Sequence, residues 1–174
     1  TGTYIGKDGQ VHDYAAKASE YLLWVHCAFT DAFLKTYIDL NYKFKTSADQ
    51  YVMEWAKSAE PLGLKDAPKS VAELEEKLDY FRDHALTANA TTKDVVKFIL
   101  KPPFSKLGLI PFTIFANAAV ATLDPREVAL LGLKKRGKVW LRISKVILEF
   151  LSEILGHESP SQKFARQRIA RLRK

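Results

Sequence analysis

Apolar side chains in this chain recur three and four residues apart in one segment after another, and no stretch longer than four residues alternates as a strand does. Such spacing stacks side chains on one face of a helix, so the chain is restricted to packing helices on helices. The segments are bounded by helix signals. Ser47 with Gln50 and Ser70 with Glu73 are capping-box starts, and Thr91 with Asp94 reads as a third. Lys101-Pro102-Pro103 forces a stop, Asp124-Pro125 opens a short helix ending near Gly132, and Ser159-Pro160 restarts one after a left-handed cap expected at Gly156.

The stripes follow from these boundaries. Leu22, His26, Phe29, Phe33, Tyr37 and Leu40 fall on one side of a first long helix, with His26 on the side expected to be buried. Val71, Leu74, Leu78, Phe81 and Ala85 mark another, whose charged face is expected in water. Residues 107–123 are apolar nearly all round, which predicts a central helix packed on several sides. Val139, Ile143, Val146, Phe150 and Ile154 predict a late amphipathic helix. Residues 1–11 hold three glycines and read as a loop or short hairpin. The expectation is an all-α, globin-like fold of about seven helices, one domain over residues 1–174, closing on a basic helix at 160–174.

A chain of 174 residues buries roughly 70% of its unfolded surface, enough for a core without disulfide or metal support. Its single cysteine, Cys27, allows no internal disulfide and favours an intracellular setting, although cysteine-poor secreted proteins share the feature. No run of about 18 apolar residues is present. The chain opens on Thr1 without a signal pattern, which fits a mature chain or a fragment.

Charge is uneven. Of a net +7, residues 134–174 carry twelve basic side chains against three glutamates, a balance of +9, leaving the remainder at −2. A solvated face explains such a tail; an anionic membrane surface or acidic partner is the functional alternative. On nucleic acid the arginines would grip phosphates without reading sequence.

Phosphate loops, paired CxxC, HExxH, GxSxG and EF-hand loops are absent from the sequence. His12, His26, His84 and His157 are far apart, and their spacing proposes no zinc site. His26 alone is flanked by bulky apolar residues, in Leu22-Leu23-Trp24-Val25-His26-Cys27-Ala28-Phe29-Thr30-Asp31. A buried neutral imidazole needs a partner on each nitrogen: protein groups in an ordinary core, or a haem iron on one side. Thr30, one turn on, is placed to bond the ring or its own helix. Asp31 points about 140° away, toward Trp24's face, where a contact with a neighbouring helix is expected.

The run YAAKASEYLLWVHCAFTDAFLKTY, Tyr14 to Tyr37, resembles the mpaB and rubber (latex-clearing) oxygenase catalytic-domain family. SADQYVMEWAKSAEPLGL at 47–64, FILKPP at 98–103 and LDPREVALLGL at 123–133 resemble its later motifs in order, and Pro160 to Ile169 echoes its end. The resemblance implies a haem b-dependent oxygenase that uses dioxygen to cleave double bonds in apolar, isoprenoid-like substrates, with fungal members attached to the endoplasmic reticulum. It maps the family's WVH histidine onto His26, as axial or pocket histidine at the haem iron, with Trp24, Thr30 and Phe33 in the cofactor pocket and Phe29 as a further apolar wall. Arg126 matches an arginine expected to anchor a helix corner. The family also carries an Arg-x-x-x-Thr helix and another histidine upstream of the region matched here, and that histidine is the better candidate for the iron's axial ligand, so the chain is expected to correspond to the C-terminal part of that domain and to need that segment as a partner. The alternative is a catalytically silent helical module acting through its basic C-terminal helices.

Overall fold

The computed structural model describes residues 1–6, 8–15, 17–43, 45–103, 106–156 and 159–172. His157 and the terminal Arg173 and Lys174 of the basic tail lie outside them. Among the described residues there are eight α-helices and one two-stranded hairpin, an all-α architecture.

Residues 1–11, expected as a loop or short hairpin, supply strand β1 (Gly2–Ile5) and its turn, and β1 pairs antiparallel with β2 (Val11–Tyr14) in the register Gly2↔Tyr14, Ile5↔Val11. The turn is held by Asp8, which accepts from the Gln10 backbone at 3.0 Å, and by Gly9 at φ +74°. No alternating pattern announces these strands because the hairpin buries little: Ile5 and Val11 stay 66% and 70% exposed.

Helix α1 (Ser19–Asp39) is the central element, with α2 (Ala48–Ala56) and α3 (Val71–His84) on one side and α5 (Lys106–Thr122) further along. The Ser47 and Ser70 hydroxyls accept from the backbones of Gln50 and Glu73 at 3.0 and 3.2 Å, so both expected caps are present. A 3-10 turn (Lys57–Leu62) extends α2 through Pro61 and closes at Gly63, whose φ of +73° suits a residue without Cβ. Helix α4 (Ala90–Leu100) begins two residues earlier than expected, because Asn89, not Thr91, is the cap; its side chain accepts from Thr92 N at 2.9 Å. Helices α6 (Pro125–Leu130), α7 (Val139–Leu155) and α8 (Pro160–Leu172) complete the order, and Asp124 caps α6 with Glu127 returning the bond. Gly156 has a positive φ, but its ψ of 155° is extended, so the left-handed cap expected there is not formed.

The main core joins Cys27 and Leu34 of α1 to Val52 of α2 and Leu74 and Leu78 of α3. A smaller cluster of Leu40, Ala118 and Leu141 ties α1 to α5 and α7.

Three stripes are oriented differently from expectation. On α1 the buried side chains are His26, Cys27, Thr30 and Leu34, while Phe29, Phe33 and Tyr37 are substantially exposed. Helices α2 and α3 cover a face centred about 60–80° round from the predicted stripe, which leaves His26 at its edge. Helix α5 is not buried all round: Ala118 is buried against Leu40 and Leu141, Val120 is buried on the opposite side, which faces Leu100 and Leu133, and Ile110 is 64% exposed. On α7 it is Leu141 and Ser144 that are buried, and all of Val139, Ile143, Val146, Phe150 and Ile154 are exposed. Periodicity shows that a helix has an apolar side, not that another element covers it.

Candidate functional site

Helix α1 holds Trp24, His26, Phe29, Thr30, Asp31 and Phe33, the residues that the sequence singled out around the WVH segment. His26 is 7% exposed, and the Thr30 hydroxyl donates to the His26 backbone carbonyl at 2.7 Å, so Thr30 bonds its own helix rather than the imidazole. The ring's Nε2 is buried and has no hydrogen-bond partner among the described residues. Burial pushes the His26 pKa below its ordinary value, which keeps the ring neutral and one nitrogen lone pair available. Next to it, burial pushes the Cys27 thiol up to about 11, so it is an inert packing residue.

The other two positions diverge. Phe33 lies within about 20° of His26 around the axis but two turns on, half exposed. It stacks on Phe29 with centroids 6.0 Å apart, meets Trp55 at 5.4 Å, and borders a groove of about 560 Å³ with Tyr37, Tyr51 and Leu40. Trp24 is on the opposite side of α1, edge-on to Phe81 at 5.3 Å, where it lines a separate cleft of about 360 Å³. The fold therefore brings His26 and Thr30 together, sets Phe33 beyond them, and turns Trp24 away. His26 lines none of the cavities described.

Among the described residues Asp31 does not bond a neighbouring helix directly. It pairs with Lys35 on its own helix at 2.9 Å, and Lys35 reaches Glu75 of α3 at 3.6 Å. Burial raises the Asp31 pKa despite the lysine. Arg126 does anchor a helix corner, bonding its own cap Asp124 at 3.2 Å and Asp79 of α3 at 2.6 Å.

Behind this corner lies a buried cation that the sequence reading assigned to water. The Arg82 side chain is 3% exposed and bonds Glu127 through Nε and Asp79 through Nη1, each at 3.0 Å; its Nη2 is buried without a partner among the described residues. Burial opposes its charge, but the bonds to Glu127 and Asp79 outweigh that, and its pKa is raised. The available signal was spacing: Arg82 follows Leu78 by one turn, about 40° off the apolar stripe.

Residues 1–151, from the hairpin through most of α7, match the family described as ER-bound oxygenase mpaB/B'/rubber oxygenase, catalytic domain. The chain belongs to this family. No curated protein and no solved structure matches it. For the mpaB/rubber oxygenase family the assigned chemistry is oxygenation, and the match contains His26, Thr30 and the Arg126 corner, while α8 lies beyond it. The described residues hold no cluster of His, Cys, Asp and Glu suited to a metal ion, and no helix among them is long and apolar enough to cross a membrane.

Proposed function

We propose that this chain is part of a haem b-dependent oxygenase acting on an apolar, isoprenoid-like substrate, with His26 as its histidine at the iron. The observation that carries the reading is the orphaned Nε2: a buried ring nitrogen without a partner is costly in a finished core and suited to an iron ligand. In donor chemistry His26 fits a haem iron, but none of the described cavities opens onto it, so the fit is of the ligand atom and not of a preformed pocket. A bound haem supplies dioxygen activation; the chain's own contribution is to present a neutral imidazole. Thr30 secures the turn below it through the 2.7 Å bond, and Phe33 and Phe29 offer an apolar surface along the same side of α1. Trp24, turned toward Phe81, supports the helix from behind.

The test is a haem titration of the chain followed by absorption spectroscopy, with His26→Ala as control. Saturable one-to-one binding is expected, with a spectrum that changes, or affinity that falls at least about tenfold, in the variant. Binding indifferent to His26, or none, would remove His26 from the iron.

A second reading has its own support. Every described side chain of α8 is exposed, including Lys163, Arg166, Arg168 and Arg171, and Phe164, Ile169 and Leu172. We propose that this helix attaches the domain to an anionic membrane surface. Removing residues 160–174 is expected to leave the remaining helicity intact and to abolish salt-sensitive sedimentation with phosphatidylserine vesicles. Unchanged sedimentation, or wholesale loss of helicity, would refute the role.

A further inference from the structure

The cleft on the far side of α1 from His26 has the character of a ligand site in its own right. It measures about 360 Å³ and is enclosed by α1, the start of α4, the segment after α3, and α6. Its floor is apolar, made by Trp24, Leu78, Leu123 and Leu131. Clefts that bind small molecules are of this size and kind, mostly apolar with few polar groups.

Its polar groups are unevenly signed. Asp31, Lys35 and Glu127 line the wall. Glu127 is engaged at both oxygens, by Arg82 and by the Asp124 backbone N–H. Asp31 uses one oxygen for Lys35, and no described hydrogen bond engages the other. Lys35 is held by Asp31 and Glu75. Three neutral hydroxyls, of Thr87, Thr92 and Thr122, line the cleft too, and those of Thr92 and Thr122 donate to Asn89 and to the Ala119 carbonyl. The charged part of the wall thus offers an incoming molecule a half-engaged carboxylate beside a second carboxylate, with the lysine paired to Asp31 and Glu75.

We infer that this cleft binds a small apolar molecule carrying one hydrogen-bond-donating head, a hydroxyl or an ammonium, with Asp31 receiving the head and the Trp24–Leu78 floor taking the body. A carboxylate head is disfavoured, because it would face Asp31 and Glu127, and Lys35, the cation among the lining residues, is already paired with Asp31 and Glu75. Trp24 and Asp31 point about 160° and 140° away from His26 around α1, so the site is distinct from any chemistry at His26. It does not depend on the haem reading, and the chain without haem is sufficient to test it.

Calorimetric titrations with 1-octanol, octylammonium and octanoate, below micellar concentrations, vary the head on one apolar body. Saturable one-to-one binding is expected for the first two, with octanoate at least about tenfold weaker. Ala28→Phe fills the cleft and should weaken octanol at least about tenfold; Ala32→Phe, at an exposed wall position, is the independent plug if the first variant folds poorly. Asp31→Asn should narrow the preference over octanoate while octanol still binds. Absence of saturable binding, binding untouched by a folded plug variant, or octanoate binding as tightly as octanol would each overturn the inference.

Discussion

Arg82→Ala is expected to destabilise the fold by about 3 kcal/mol, the low end of the roughly 3–5 kcal/mol lost when one member of a buried ion pair is removed. The Arg82 side chain is only 3% exposed, and its guanidinium bonds carboxylates on two elements: Asp79 of α3 itself and Glu127 of α6. Without it, the Glu127 carboxylate, only 19% exposed, is left beside the core with no cation. The figure sits low because Asp79 and Glu75 are about half exposed, so water replaces what they lose. Asp79 also keeps Arg126, whose bond is the first cause of its depressed pKa. The check is the urea midpoint at unchanged m-value. Arg82→Met, which keeps the packing stem, should fall between wild type and Ala. A loss below about 0.5 kcal/mol, the range of ordinary surface substitutions, would show that the cluster does not lock α3 to α6.

Leu78→Ala is expected to cost about 2–5 kcal/mol. Leu78 is 1% exposed, part of the α1–α2–α3 core on one side and the floor of the Asp31 cleft on the other. Its loss removes a buried side chain and joins the resulting hole to the cleft. Val146→Ala on α7, by contrast, should change stability by no more than about 0.5 kcal/mol, because Val146 is 65% exposed. Chemical denaturation of both variants decides the matter: equal losses would mean that the α7 stripe is as covered as the core.

The apolar periods and the capping chemistry of Ser47, Ser70 and Asp124 were legible in the sequence because they are local: each depends on residues within about one turn. The Asn89 cap was missed for a local reason as well. Thr91 and Asp94 offer the same spacing two residues on, and the Asn89–Thr92 pair won by bonding reciprocally. The WVH segment located His26, and its burial agrees with the flanking apolar residues. Its neighbours in the expected site were not equally legible. Trp24 and His26 are two residues apart, so helix geometry alone sets them on opposite faces; only the docking of α3 on α1 decides that Trp24 packs on Phe81 rather than joining a pocket with His26.

The sequence by itself determined that this chain is helical, where most helices begin and stop, which family it belongs to, and that α1 carries the histidine of the WVH segment. Tertiary structure alone decided which part of each apolar side is covered. It buried Arg82, exposed the α7 stripe, left Nε2 of His26 without a partner among the described residues, and opened a cleft behind Trp24. The physical reason is that backbone hydrogen bonding and caps are settled within a few residues, whereas burial and pairing depend on which distant surface arrives against a face, and spacing along the chain does not encode that arrival.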